Sequence, residues 1–246
     1  MKQPKRPLIL LAVMLAMFVS AVEATIVSTA MPSIAADLGG FSKYSWVFSA
    51  YLLMSTVTVL LYGKLADLVG RKAIFAFGML LFLFGSLLCG LADSMEQLIA
   101  FCFIEWARTG GIMPFVCNII WDIYSTEELA KIQVYLSSVW GISAIAGPAI
   151  GGVLVATIGW QYVFWVNLPL GILSLLGIVI YLKEPKRMER ANIDYKGALF
   201  LTLALSSVLY LLIEGGVSFN WLSTPSFVLA LIGIVFMFWF VKAERV

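Results

Sequence analysis

The stretch Gly-Lys-Leu-Ala-Asp-Leu-Val-Gly-Arg-Lys, residues 63–72, places two glycines, one acid and three bases between two long apolar segments. This pattern predicts a tight turn between two membrane helices. Gly63 and Gly70 permit a close backbone approach or a positive φ. Asp67 can accept hydrogen bonds from the free N–H groups that open the next helix. The two bases that end the stretch favour the cytoplasmic side, because Lys and Arg are enriched in cytoplasmic loops.

The composition excludes a soluble globular protein. Hydrophobic residues make up 62% of the chain and charged residues 12%, and the mean hydropathy is +1.00. Such values are typical of a polytopic protein embedded in a lipid bilayer. The chain has no histidine, which excludes histidine-based catalysis and leaves carboxylates as the candidate proton carriers near neutral pH. We expect a protein that is not an enzyme, needs no cofactor and binds no nucleic acid.

The three cysteines, Cys89, Cys102 and Cys117, all fall inside apolar runs. They show neither a Cys-x-x-Cys pair nor the spacing of metal ligands. We therefore predict buried thiols, without a disulfide and without a metal site.

The apolar runs predict an all-α membrane fold. Because a bilayer core about 30 Å thick needs about 20 apolar residues per helix, the sequence predicts eight spans. They lie approximately at residues 7–32, 44–66, 73–92, 97–121, 131–157, 160–182, 196–214 and 225–241.

The basic residues predict the orientation of the chain in the membrane. Of the sixteen Lys and Arg residues, all but two fall in segments that the eight spans place on one side. The exceptions are Lys43, on the other side, and Arg108, within a span. By the positive-inside rule both termini are cytoplasmic, which requires an even number of spans. We expect a multi-pass protein of the cytoplasmic membrane.

The order of residues in the opening stretch resembles the loop signature between the second and third helices of the major facilitator superfamily. Leu68 stands where that family usually has a base. The resemblance implies that this loop controls the cytoplasmic gate of a transporter. The gate residues implied are Gly63, Asp67, Gly70, Arg71 and Lys72, and the match also includes Leu65 and Ala66.

Glu23 is an acid within the first apolar run, and no base lies within one helical turn of it. A charge at mid-bilayer costs roughly 2.5 to 3.5 kcal/mol on insertion scales, so it needs a partner, a proton or a water-filled cavity. Desolvation favours the protonated form and makes Glu23 a candidate for proton binding and release. The alternative is an acid that faces a wet crevice and has no function.

The surroundings of Glu23 support the first interpretation. The segment Glu23-Ala-Thr-Ile-Val, with Ala30-Met-Pro32 closing the predicted helix, resembles the first-helix motif of the fourteen-span drug:proton antiporter family. The resemblance implies a proton-coupling role for Glu23.

Glu105 and Arg108 are three residues apart on the predicted fourth helix, so they share a face and can form an intramembrane ion pair. The antiporter family has an Arg and a Gln-Gly stretch in this helix. Alignment on the following glycines and proline puts Cys102 at the usual Arg and Glu105 at the Gln. The resemblance makes Glu105 a second proton-coupling candidate. A shift of six residues turns a helix by about 240° net, so Arg108 cannot replace the family's Arg on the same face.

The fifth predicted span contains Gly147-Pro148-Ala-Ile-Gly151-Gly152. Gly147 and Gly151 form a small-residue face suited to close helix contact, and Pro148 removes a backbone hydrogen bond. Small-residue packing alone would explain the glycine spacing, but the full pattern resembles the antiporter signature of drug exporters. We expect the glycine face to pack against a second transporter half, or against a second copy of the chain.

The resemblance extends from the first helix to about residue 182 and continues more loosely beyond. It implies a six-helix N-terminal half at residues 1–182, built as two three-helix inverted repeats. A basic cytoplasmic loop and two linker helices follow at residues 183–246.

The function implied is export of hydrophobic or cationic small molecules in exchange for protons, as part of a larger transporter. Two alternatives stay open. One is an uptake facilitator of the same fold. The other is a non-transporting truncated product or membrane subunit that needs a partner half.

Overall fold

The computed structural model describes residues 5–183 and 195–244. In these ranges the chain is helical and contains no β-strand, so the predicted all-α fold is confirmed. The α-helices are α1 (Arg6–Leu38), α2 (Tyr44–Val69), α3 (Arg71–Cys89), α4 (Met95–Trp106), α5 (Thr109–Ile123), α6 (Thr126–Thr157), α7 (Tyr162–Trp165), α8 (Asn167–Tyr181), α9 (Tyr195–Glu214) and α10 (Thr224–Glu244).

Six helical segments within the described ranges are long and apolar enough to cross a membrane. They are α1, α3, α4 with α5, α6, α7 with α8, and α10. In α2 and α9 only the shorter stretches Tyr44–Val59 and Leu199–Glu214 qualify as apolar helices. The multi-pass architecture is confirmed, whereas the count of eight spans stays a prediction.

Two of the predicted spans are interrupted. The fourth is split into α4 and α5, because Ala107 and Arg108 form a turn between them. The backbone N–H of Gly110 then donates to the Thr58 hydroxyl of α2, at 3.1 Å. A Cβ at Gly110 would lie 2.1 Å from the backbone nitrogen of Val59, so only glycine lets α5 start this close to α2. The sixth span is split in the same way at Val166.

Helix α1 is the centre of the bundle. It is the most buried of the six spans and packs against α6 and α8. Its 33 residues correspond to about 50 Å of helix. The prediction that Pro32 closes this helix is wrong, since α1 continues to Leu38. A proline is tolerated inside a membrane helix where neighbouring groups compensate for the lost backbone hydrogen bond.

The predicted ten-residue turn at residues 63–72 is also wrong. Helix α2 runs through Gly63 and Asp67 to Val69, and α3 begins at Arg71. The break is confined to Gly70, whose φ of 102° is a conformation that glycine adopts without steric cost. Gly70 is the N-cap of α3 and has no side chain to cap it. The side chain of Asp67 is not among those described.

Polar contacts define two ends of the bundle. At the first, here called the basic end, Arg6 pairs with Glu128 and Lys72 donates to the backbone oxygen of Leu182 at 2.9 Å. At the opposite end Lys43 pairs with Glu96. One hydrophobic cluster includes α1 residues up to Val19 and a second begins at Val22. Glu23 therefore lies near the level at which the two clusters meet.

The last two helices pack mainly on each other, and α9 also contacts α2. Trp46 and Tyr210 form this contact, with ring centroids 5.8 Å apart. Most of the predicted basic loop lies outside the described residues. The division at residue 182 stays a prediction.

Candidate functional site

A buried ion pair joins the middle of α1 to the turn between α4 and α5. Arg108 Nη2 donates to Glu23 Oε2 at 2.9 Å, and the two side chains are 2% and 3% exposed. Arg108 Nη1 donates to the hydroxyl of Ser20, one turn earlier on α1, at 3.0 Å. No base lies within one turn of Glu23 on α1, and its partner is supplied by a residue far along the chain.

The second carboxylate oxygen of Glu23 is also hydrogen-bonded. Trp106 Nε1 donates to Glu23 Oε1 at 2.8 Å. The indole is held by an edge-on contact with Tyr51, with ring centroids 5.5 Å apart. Each oxygen of this buried carboxylate thus has a donor, as a charged group in an apolar interior requires.

Arg108 has an aromatic contact as well. Its guanidinium lies 3.4 Å from the centroid of the Phe82 ring on α3, a cation–π arrangement that is favourable away from water. The predicted ion pair between Glu105 and Arg108 is wrong. Because the turn at Ala107 and Arg108 breaks the helix, the three-residue spacing no longer places the two side chains on one helical face.

Glu105, on α4, faces α3. Its Oε2 accepts a hydrogen bond from the Cys89 thiol of α3 at 3.3 Å, and its Oε1 has no hydrogen-bond partner among the described residues. Gly85 makes this contact possible, since a Cβ there would lie 2.5 Å from the Cα of Glu105. Cys89 follows one turn later on the same face of α3 and so reaches the carboxyl group.

Two clefts reach this cluster, and Arg108 borders both. One, of about 500 Å³, is lined by Glu23, Arg108, Tyr51 and Trp140 among others. The other, of about 450 Å³, extends from Arg108 to Arg71. The cluster is therefore buried between helices and yet lies next to space that a small molecule or water could enter.

The predicted gate residues are only partly brought together. Arg71 pairs with Asp122 at the end of α5 and lines the second cleft. Lys72 is tied to the end of α8, and Gly70 forms the break described above, while Gly63 is an interior residue of α2. Arg71 is thus the predicted gate residue that borders the same cleft as Arg108. The gating role itself stays a prediction.

The glycine face of α6 packs against α1 of the same chain. A Cβ at Gly147 would lie 1.9 Å from Thr25 Oγ1, and one at Gly151 would lie 2.8 Å from Ile26 Cγ1. The expectation that this face meets a second half or a second copy is therefore wrong, because α1 already occupies it. The motif instead fixes the part of α1 that follows Glu23.

The rest of the antiporter motif faces outward. Pro148 and Gly152 are exposed, and a Cβ at Gly152 would meet no atom within 4 Å. Pro148 lies inside α6 and does not end it.

Several residues of the site are absent from the sequence-based predictions. Trp106, Ser20 and Cys89 donate to the carboxyl groups or accept from Arg108, as described above. A tryptophan directly after an intramembrane acid is a usable signal for the first, but the sequence offers none for the other two. Cys117 is exposed, so the prediction that all three thiols are buried is wrong for this one.

Comparison with known proteins identifies the family. The model of the Major Facilitator Superfamily matches residues 13–244. Multidrug resistance protein 3 of Bacillus subtilis (strain 168) is 37% identical over 99% of this chain and 48% of its own length. Multidrug transporter protein MdtP of the same organism is 39% identical over 95% of this chain and 44% of its own length. Efflux pump dotC of Dothistroma septosporum (strain NZE10 / CBS 128990) is 35% identical over 93% of this chain and 40% of its own length.

The chain spans about half the length of the curated relatives it matches. Solved structures show the same fold. The POT family transporter PepTSo superposes with a TM-score of 0.61 at 15% identity, over 100% of this chain and 55% of that one. An auto inhibited POT family peptide transporter superposes with a TM-score of 0.62 at 18% identity, over 97% of this chain and 53% of that one. The family model, the sequence relatives and the fold agree: the chain belongs to the Major Facilitator Superfamily, a family of membrane transporters and not of enzymes, as the loop signature predicts.

Proposed function

We propose that this chain forms part of an exporter that moves hydrophobic or cationic small molecules out across the cytoplasmic membrane in exchange for protons. The observation that carries the proposal is the buried cluster of two carboxyl groups and one guanidinium at the centre of an otherwise apolar bundle. The names of the sequence relatives, which are a multidrug resistance protein, a multidrug transporter and an efflux pump, support the same activity.

The charges of the three side chains explain how the cluster exchanges a proton for a substrate. Glu23 and Arg108 neutralise each other across 2.9 Å, whereas Glu105 is bonded to a neutral thiol. With both acids ionised the cluster carries one uncompensated negative charge, which is costly in a membrane interior. A single proton shared by the two acids removes that charge. A bound cationic substrate compensates for it equally well, so proton and substrate replace each other.

The surroundings of the cluster suit a lipophilic cation. The cleft at Glu23 has Tyr51 and Trp140 in its wall and shares Met17 and Trp140 with a further cleft of about 620 Å³. This further cleft is lined by Trp121 and by apolar residues of α5 and α6. Aromatic faces bind organic cations through the ring quadrupole, and a mostly apolar wall with few polar groups is the usual form of a small-molecule site.

The basic end of the bundle is the proposed cytoplasmic side, with both termini in the cytoplasm. There the pair between Arg71 and Asp122 ties the start of α3 to the end of α5. Opening this contact would admit substrate to the cleft that leads to Arg108. Gly70 provides the flexible point between α2 and α3 that such a motion needs.

A second half completes the transport path. The outer side of α6 exposes large apolar residues, among them Ile145 at 77% and Val153 at 62%, beside the exposed Pro148 and Gly152. We assign this outer side, and not the glycine face, to contact with a second six-helix half or a second copy of the chain. Alternating access then proceeds by rocking of two halves about a site between them.

Efflux from proteoliposomes tests the proposal. The chain is joined to the second half of Multidrug resistance protein 3, a pH gradient is imposed, and release of a fluorescent lipophilic cation is followed. We expect gradient-dependent efflux that Glu23→Gln abolishes. The matched control is Glu127→Gln, the same change at an exposed acid on α6. Efflux that continues unchanged after collapse of the pH gradient would contradict proton exchange.

A further inference from the structure

Two buried thiols meet where α3 ends against α4. The Sγ atoms of Cys89 and Cys102 are 3.7 Å apart, and both residues are 0% exposed. They are separated by 13 positions in the sequence and lie on different helices. Such a pair provides two soft ligands held in position by the packing of two helices.

A carboxyl group adds a third candidate ligand to the two thiols. Glu105 lies one turn after Cys102 on α4 and is also 0% exposed. One ligand atom from each of the three residues lies within 4.8 Å of those of the other two. Glu105 Oε2 faces the Cys89 thiol at 3.3 Å, and Oε1 accepts no hydrogen bond from a donor among the described residues. An unused acceptor inside a packed interior is costly unless something binds to it.

The distance between the sulfurs selects the kind of ion. With zinc–sulfur bonds of about 2.3 Å and tetrahedral angles, two thiolates on one ion lie about 3.8 Å apart, which is close to the distance in the structure. Linear two-coordinate binding would require a separation of about 4.6 Å, twice the bond length. The sulfur–sulfur distance therefore fits a tetrahedral ion better than a linear one.

Charge leads to the same ion. Two thiolates balance both charges of a divalent cation, which is needed where solvent does not screen. The thiol protons are released to water when the metal binds. The third ligand is then an oxygen of Glu105, and its carboxylate brings the same single negative charge that the cluster carries without the ion when both acids are ionised. Thiolate-rich sites select zinc and related soft ions over magnesium or calcium.

We propose that Cys89, Cys102 and Glu105 form a binding site for a divalent, thiol-preferring metal ion of the Zn²⁺ or Cd²⁺ type, in place of the metal-free thiols that the cysteine spacing predicts. The bound ion links the end of α3 to α4 one turn after Gly85, at which a Cβ would lie 2.5 Å from the Cα of Glu105. Binding itself does not depend on what the chain transports. Its effect on transport does rest on the proposed function, because the ion would occupy the carboxyl group that shares a proton with Glu23.

Cobalt spectroscopy tests this site on the purified chain in detergent, kept reduced. Co²⁺ takes the place of Zn²⁺ and gives strong visible bands when tetrahedral, together with sulfur-to-cobalt charge-transfer absorption in the near ultraviolet. We expect a tetrahedral spectrum with two thiolates at a single ion per chain, and bleaching of that spectrum by added Zn²⁺.

Cys117 is the matched control, because it is exposed and is not one of the three residues whose ligand atoms converge. The chain has three cysteines, so a two-thiolate spectrum in Cys117→Ser comes from Cys89 and Cys102, and no variant of the site itself has to fold. Cys102→Ser should lose at least half of the charge-transfer absorption, because one of the two thiolates is removed. Glu105→Gln should weaken binding by more than about tenfold, the loss that even an outer-shell change commonly causes. Absence of thiolate charge transfer in Cys117→Ser would overturn the proposal, as would an unchanged spectrum in Cys102→Ser.

Discussion

Removing one member of the pair between Glu23 and Arg108 should destabilise the protein far more than replacing both. Arg108→Met leaves the Glu23 carboxyl group buried without its counter-ion, so that it either stays uncompensated or must take up a proton, and Glu23→Gln leaves a buried guanidinium. Breaking a buried pair in this way costs about 3 to 5 kcal/mol, whereas replacing both charges by neutral groups of similar volume is often neutral. The glutamine also keeps an oxygen that can accept from Trp106. The coupling free energy of the double-mutant cycle should therefore be at least about 2 kcal/mol.

The assay is reversible unfolding in mixed detergent micelles, monitored by circular dichroism for the wild type, the two single variants and the double variant. The control is the same cycle on Arg6 and Glu128. Their side chains are 34% and 47% exposed, and Arg6 Nη1 lies 3.4 Å from Glu128 Oε2. An exposed pair of this kind contributes about 0.2 to 1 kcal/mol. If the coupling between Glu23 and Arg108 were no larger than that of the control pair, the argument from burial would be refuted.

Three further predictions follow from single contacts. Gly147→Ala should lower thermal stability and Gly152→Ala should not, because only the first Cβ meets α1; differential scanning fluorimetry of both variants checks this, and equal melting temperatures would argue against the packing. Lys43 and Glu96 form an exposed ion pair, so Lys43→Ala should change the free energy of unfolding by no more than about 1 kcal/mol; denaturant unfolding measures it, and a larger loss would contradict it. A single cysteine at position 189, introduced as Glu189→Cys in a cysteine-free background, should resist a membrane-impermeant thiol reagent in intact cells, since the basic loop is expected in the cytoplasm; labelling there would overturn the orientation.

The local features of the fold are readable from the sequence. About 20 consecutive apolar residues indicate a membrane helix, so the apolar runs predict an all-α, multi-pass chain. The break between α2 and α3 is marked by Gly70, because a positive φ favours glycine wherever it occurs. The signatures at Gly70 and at Gly147 also identify the family. Each of these signals lies within one short segment and needs no knowledge of the rest of the chain.

Contacts between residues that are distant in the sequence cannot be predicted from such local patterns. Arg108 pairs with Glu23 only because the turn at Ala107 redirects it, and that turn is held by the fit of Gly110 against α2. The sequence spacing instead suggests Glu105 as the partner, which is correct for an unbroken helix and wrong for this one. The contact of Cys89 with Cys102 likewise depends on how closely α3 approaches α4.

The sequence by itself determined which segments are helices, that they cross a membrane and which family they belong to, because hydropathy and local signatures act over a few turns of helix. The tertiary structure decided which buried acid pairs with Arg108, which side of the glycine motif is already filled by α1, and where two thiols and a carboxyl group converge. These choices depend on the rotation and separation of helices distant in the chain, and a difference of a single turn moves a side chain to another face.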